Sequence, residues 1–376
     1  MYALVDKLEA EDLTAIAAQA FVDMLKGGYT TVCEFHYLHR RRDGGLPFPP
    51  QAHGLALLAA ARDAGMALTL LPALYANGDF GDQPLLPRQG RFKSSPDEIL
   101  GMFAALRSEC QRDPLLRLGL APHSLRAVSP GALRELLQGL RALDETAPIH
   151  LHVAEQRQEV EGSIANLGQR PVAWLLDHFP VGPSWCLVHA THLAGEEIAG
   201  LARSGAVAGL CPSTEADLGD GFFPLAEYLC AGGRLGIGSD GNLCSSVFEE
   251  LRWLEYGQRL RTERRNIAAV IAGQSVGANL VAAALAGGAQ AAGQAVGALA
   301  AGKRADFLVL DGQSALLLGQ PVSRWLDALV FGSCAAAPIR EVYVAARRVI
   351  ADGRHEQEAA IGSRYARAMQ RLGELR

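Results

Sequence analysis

Three stretches carry side chains able to do hydrolytic chemistry around a bound metal. "IHLHVAEQ" (149–156) sets His150 and His152 on alternate positions, with Glu155 three residues beyond His152. On a strand, the two histidines share one face while Ile149, Leu151 and Val153 take the other. A buried imidazole with a carboxylate close by suits a divalent ion and a group that shuttles protons. A pair of core histidines satisfied by backbone carbonyls would leave the same pattern. "LVHATH" (187–192) ends another apolar run on His189, with His192 in the loop after it, and a lone strand-end histidine is also a common structural residue. "GIGSDGN" (236–242) brings Asp240 after glycines that permit close backbone approach, where an aspartate equally serves as a turn or cap residue. Taken together, a histidine on one strand, a histidine on the next and an aspartate on the last supply ligands and a base for a metal-dependent hydrolase.

These residues need elements that bring them to one place. Seven short apolar or β-branched runs recur: 29–37, 66–75, 115–124, 148–156, 185–192, 205–213 and 234–241. Between them lie stretches such as "DEILGMFAALRSEC" and "GALRELLQGLRALDE", with apolar residues at i, i+3 and i+4. Strands alternating with helices predict parallel βαβ units. His36, Tyr75, His123, His152, His189, Ser213 and Asp240 fall at or near the C-terminal ends of the runs, where a (β/α)8 barrel of the TIM type builds its site. A doubly wound sheet would gather ligands at one switch point, and no glycine fingerprint for a dinucleotide is present. A closed barrel takes eight strands, and the chain opens on a helix that leads into the first of seven. The first strand is therefore expected upstream of Met1. "GALAAGKRADFLVLDG" (297–312) and "IREVYVAARRVIADGR" (339–354) read as a strand and a hairpin of a small β-sandwich domain. The expected organisation is a barrel over 1–296, part of the β-domain over 297–355 and a terminal helix over 356–376.

Bulk properties narrow the function class. The chain has 376 residues, 49% hydrophobic and 20% charged, long enough for a large core and ordinary for a globular protein. A net charge of −5 without a long basic run argues against nucleic acid as a partner. "RRR" at 40–42 reads as a solvated loop. Seven scattered cysteines without a CxxC pair read as reduced thiols in a cytoplasmic protein. The first 28 residues carry acids and helical periodicity, unlike a signal peptide. The apolar tract 268–290 is broken by Gln, Asn and Gly, so it reads as helix packed through small residues rather than a membrane span, which needs about 20 uninterrupted apolar residues.

"IHLHVAEQ", "LVHATH", "GLCPSTEADLGDG" and "GIGSDGN" together resemble the amidohydrolase superfamily, and "GALAAGKRADFLVLD" resembles the segment that rejoins its small β-sandwich. Within it, "EFHYLH", "LTLLPALY", "APHSLRAV" and "EELRWLEYGQRLR" resemble the formimidoylglutamate deiminases of histidine degradation, over nearly the whole chain. The resemblance implies one divalent ion, zinc or similar, held by His152 and Asp240, with Asp240 also accepting the proton of the attacking water. Glu155 would pass that proton to the formimino nitrogen, and His189 would orient the hydroxide and stabilise the intermediate. The implied substrate carries two carboxylates, for which Arg126 is the expected bidentate clamp, with Tyr75 and His123 as hydrogen-bonding partners. Without the resemblance, Arg126 reads as a surface ion pair. A homodimer is also implied, and His36, His39 and His150 receive no role. The family's His-x-His pair on a first barrel strand has no counterpart before "IHLH", so two metal ligands are expected upstream of Met1. This chain alone is then expected to bind metal weakly and turn over little. The competing functions are another superfamily deaminase acting on a purine- or pyrimidine-like ring, and a non-catalytic, truncated barrel that survives as a binding partner.

Overall fold

The computed structural model describes residues 2–241, 244–271, 273–332 and 337–374. The parallel strands are β1 (Thr31–His36), β2 (Ala67–Leu74), β3 (Leu116–Leu118), β4 (Ala121–Pro122), β5 (Ile149–Val153), β6 (Trp185–His189), β7 (Val207–Leu210) and β8 (Arg234–Ile237). Each of the seven predicted runs contains one of them, the third being broken into β3 and β4. By compactness the chain divides into two units, one comprising 1–23, 31–151 and 354–376, the other 24–30 and 152–353.

In the first unit β2 pairs in parallel with β1, Thr31 opposite Ala67, and on its other side with β3 and then β4. Every residue of β2 is buried, as expected for a strand covered on both faces, and this explains a continuous apolar run without alternation. Leu71, Ala73 and Ala121 form a core cluster against which Cys33, Phe35 and Tyr37 pack. The helices between strands start where the sequence punctuates. Helix Pro96–Gln111 begins with proline in its first turn behind Ser95, which accepts from the Glu98 amide while Glu98 accepts from the Ser95 amide, a reciprocal capping box. Helix Pro130–Leu143 is capped by Ser129 and buries Leu133, Leu136, Leu137 and Leu140, one stripe at helical spacing.

In the second unit the end of β5 leads a sheet ordered β5-β6-β7-β8, with Cys186 opposite Val207 and Val207 opposite Arg234. Helix Val276–Ala292, the core of the small-residue tract, lies hard against β8: a Cβ on Gly287 would stand 1.9 Å from the Leu235 carbonyl oxygen. Among the described residues, no helix is long and apolar enough to cross a membrane. The same unit holds an antiparallel sheet of β9 (Phe307–Leu310), β10 (Ile339–Val344) and β11 (Arg347–Ala351), with β10 in the middle. Ala345 and Ala346 between β10 and β11 both have positive φ, the backbone of a tight two-residue hairpin turn.

Candidate active site

The second unit gathers His152, Glu155, His189 and Asp240. His189 is the last residue of β6 and fully buried, and its ring lies 5.5 Å from that of His152, centroid to centroid. His189 Nε2 stands 3.6 Å from Glu155 Oε1 and 3.9 Å from Asp240 Oδ2. Neither distance is a hydrogen bond, so Nε2 is a buried ring nitrogen without a hydrogen-bond partner. On the opposite edge of the ring, Nδ1 lies 3.2 Å from Glu215 Oε1.

Local backbone puts these groups where they are. Ala154, His189, Ala190 and Asp240 all have positive φ, between 40° and 65°. Left-handed backbone at non-glycine residues costs about 1–3 kcal/mol each and persists only where the surroundings enforce it. After β5 the enforcing group is Glu159, buried in the first turn of helix Arg157–Leu167. Its two carboxylate oxygens accept from the amides of Ala154 and Glu155, each at 3.1 Å, which fixes the point from which the Glu155 side chain departs. After β8 the enforcing group is Thr214, whose hydroxyl donates to the Ser239 carbonyl at 3.1 Å and accepts from the Gly241 amide at 3.2 Å, bracketing Asp240. The neighbouring Ser213 is held by Glu250, which accepts from its amide and its hydroxyl. Ser213 itself thus lies in helix Pro212–Leu218 rather than on a strand end.

The electrostatics follow from this packing. Burial alone would favour the neutral His189 ring, but the Glu215 hydrogen bond and the charges of Glu155, Glu215 and Asp240 outweigh it and push its pKa up to about 9. Burial raises the Asp240 carboxyl, His189 opposes that shift, and Asp220 adds to it. Burial, reinforced by Asp240, Glu215 and Glu250, raises the Cys211 thiol well above its usual range, so it stays protonated and is no nucleophile. Nitrogen and carboxylate oxygen around one buried imidazole are donors of the kind zinc takes, and the unpartnered Nε2 faces them. Among the described residues, no group of three or more His, Cys, Asp or Glu forms a ready-made metal site.

In the first unit, the predicted substrate-binding residues Tyr75 and His123 follow β2 and β4, with ring centroids 4.6 Å apart. Tyr37 lies 5.7 Å from His123, and Phe92 packs on both tyrosines. Gln89 donates to the Tyr75 hydroxyl at 2.9 Å, and His123 Nδ1 meets the Ser124 hydroxyl at 2.9 Å. Arg126 is half-buried and makes no ion pair among the described residues; its Nε is buried without a hydrogen-bond partner. The loop at 40–42 is less free than its charge run suggests: Arg40 pairs with Glu98 at 2.6 Å and donates to the Lys93 carbonyl. His150 packs edge-on against Phe35. His36, His39 and His53 are all buried, and His39 Nε2 meets the Ala73 carbonyl at 2.7 Å.

Sequence reasoning missed Glu159, Thr214, Glu215 and Tyr37. The "PSTE" of 212–215 contained a signal, since a glutamate one turn past an apolar strand and a proline is an expensive residue to bury without a task. Tyr37 had a weaker one, an aromatic next to a strand-end histidine.

The profile of the Amidohydrolase family matches residues 1–349. A formimidoylglutamate deiminase from Pseudomonas aeruginosa is 47% identical over all 376 residues, covering 81% of that protein. A 5-methylthioadenosine/S-adenosylhomocysteine deaminase from Shouchella clausii is 25% identical over 92% of this chain and 72% of its own length. Among solved structures, an amidohydrolase from Brucella melitensis superposes with a TM-score of 0.93 at 40% identity, over 99% of this chain and 81% of that one. An adenosine deaminase from Xanthomonas campestris with bound zinc gives 0.80 at 24% identity over 99% of this chain and 78% of its own, a likeness of fold.

Proposed function

Because this chain belongs to the amidohydrolase family and carries its α/β, TIM-barrel-type fold with an added β-sheet part, we propose that it hydrolyses the formimino group of N-formimidoyl-L-glutamate. Water adds to the formimino carbon, the carbon–nitrogen bond breaks, and N-formyl-L-glutamate and ammonia leave. The observation that carries the reading is the buried Nε2 of His189 facing Glu155 and Asp240 from a ring whose other edge is held by Glu215. The 47% identity to a formimidoylglutamate deiminase supports the substrate.

His152 and Asp240 would hold a divalent ion, which when bound makes the attacking water acidic enough to ionise near neutral pH. Asp240 takes the water's proton, and Glu155 delivers a proton to the departing nitrogen. His189 would orient the attacking water through Nε2 and stabilise the oxygen of the tetrahedral intermediate. The substrate's carboxylates would be met by the Arg126 guanidinium, with Tyr75 and His123 donating beside it. Zinc is the expected metal. Turnover should rise with added zinc until the site is filled. We further place the protein in the cytoplasm as a homodimer, with a catalytic part over 1–296, a β-domain part over 297–355 and a terminal helix over 356–376.

The test is ammonia release from N-formimidoyl-L-glutamate at saturating zinc, with Arg126→Ala and Arg126→Lys alongside. Arg126→Ala should raise KM about 100-fold with kcat changed far less, and lysine should not restore it, because a point charge cannot replace the planar fork. Turnover of 5-methylthioadenosine instead, indifferent to Arg126→Ala, would replace this reading with the ring-deaminase one.

A further inference from the structure

We propose that Glu215 is a positioning residue: it holds the Nδ1–H of His189, and so aims Nε2 at Glu155 and Asp240. Glu215 is buried in helix Pro212–Leu218, which leaves β7, while His189 ends β6. One oxygen, Oε1, serves both contacts, accepting from the Cys211 amide at 2.9 Å and lying 3.2 Å from His189 Nδ1. The Cys211 amide anchors the carboxylate to its own strand end, so the carboxylate in turn anchors the ring to that strand.

An imidazole has two nitrogens, and which of them carries the proton is set by the partner of the other. A carboxylate at Nδ1 makes that nitrogen the donor in every protonation state of the ring that the site can use. It also fixes the ring plane about the terminal torsion, which is otherwise broad. His189 and Ala190 both have left-handed backbone, so the chain turns away from the strand at the residue that carries the ring. Ring packing from His152 at an interplanar angle of 35° restricts tilt but gives no preference between the two nitrogens. Glu215 is no proton carrier to the substrate, since it lies on the ring edge opposite Glu155 and Asp240 and its oxygen is committed inward.

Only the kinetic arm of the test rests on the function proposed above. The protein is labelled with 15N-histidine, and the His189 nitrogens are identified by their loss in His189→Asn. Wild type and Glu215→Gln, which retains the acceptor oxygen, should show a protonated, slowly exchanging Nδ1. At a pH where the ring is neutral, Glu215→Ala should show a mixture of tautomers with fast exchange, while wild type and Glu215→Gln keep the proton on Nδ1. At saturating zinc, Glu215→Ala should lose about 10–100-fold in kcat with KM within about twofold, the size of effect seen when a histidine's supporting partner is removed. Glu215→Gln should recover most of that loss. An unprotonated Nδ1 in wild type overturns the proposal even if Glu215→Ala fails to fold. So does an unchanged tautomer in Glu215→Ala, or an equal loss of kcat in the two variants. A wild type inactive on N-formimidoyl-L-glutamate would sink the function reading, and the nitrogen spectra would still decide the role of Glu215.

Discussion

Replacing Glu159 by glutamine should cost far more than a neutral, isosteric change at the surface. Each Glu159 oxygen accepts one backbone amide, from Ala154 and from Glu155, both at 3.1 Å. Glutamine can satisfy one of these and turns its own N–H groups towards the other. A hydrogen bond to a charged acceptor contributes about 1.5–3 kcal/mol, and a buried amide left without an acceptor costs about 1–3 kcal/mol. The left-handed backbone at Ala154 loses half of what enforces it. The expected destabilisation is therefore about 3 kcal/mol, which at a urea dependence of about 3 kcal/mol per molar moves the midpoint down by about 1 M. All four tryptophans, Trp174, Trp185, Trp253 and Trp325, fall in the second unit with Glu159, so their fluorescence reports the relevant transition. Glu161→Gln on the exposed side of the same helix controls for loss of charge. Since a catalytic group misplaced by about 1 Å loses about 100-fold in rate, kcat at saturating zinc should fall at least about tenfold. A midpoint and a kcat matching those of Glu161→Gln would refute the view that Glu159 holds Glu155 in place.

Burial, with the charges of His53 and Arg40, holds His39 at about 4 against the pull of the Ala73 hydrogen bond and Glu98. A lowered histidine contributes stability above its unfolded pKa of 6.5 that is lost as pH falls through 4, about 3 kcal/mol here; circular-dichroism melts of His39→Gln, which keeps a donor for Ala73, should show a flatter acid limb. Burial lifts Glu250 to about 7, partly offset by its Ser213 bonds, so its contribution is complete below 4.5 and lost as pH rises through 7. Glu250→Gln can still accept from the Ser213 amide and donate to its hydroxyl, and by urea titration should gain about 1–3 kcal/mol on wild type at pH 8 and nothing near pH 4.5. Gly287→Ala would drive a methyl into the Leu235 carbonyl and should lower the melting temperature sharply or leave the protein insoluble, whereas Gly288→Ala, with open space at its Cβ, should be neutral.

The elements were legible because their signals are local. A fully buried strand such as β2 must be continuously apolar, and the cap "SSPDE" before helix Pro96–Gln111 satisfies its amides within one turn. The candidate residues were legible because a strand's alternation and its C-terminal end can be counted along the chain, which singles out His152, His189 and Asp240. The break between β3 and β4 was not, since Leu120 answers to β5 through the carbonyl that accepts from the His150 amide. Nor was the hold on Arg40, whose partner Glu98 is 58 residues away.

Taken alone, the order of residues determined which side chains could do chemistry and that His152 and His189 would sit at the ends of strands, because backbone periodicity and turn chemistry act over a few residues. Only the tertiary structure decided which edge of the His189 ring meets which carboxylate, that Glu215 rather than a backbone carbonyl holds its Nδ1, and that Tyr37 joins Tyr75 at His123. Those choices depend on register between strands far apart in sequence and on left-handed residues at their ends. Both are enforced by packing, which leaves no periodic trace in the chain.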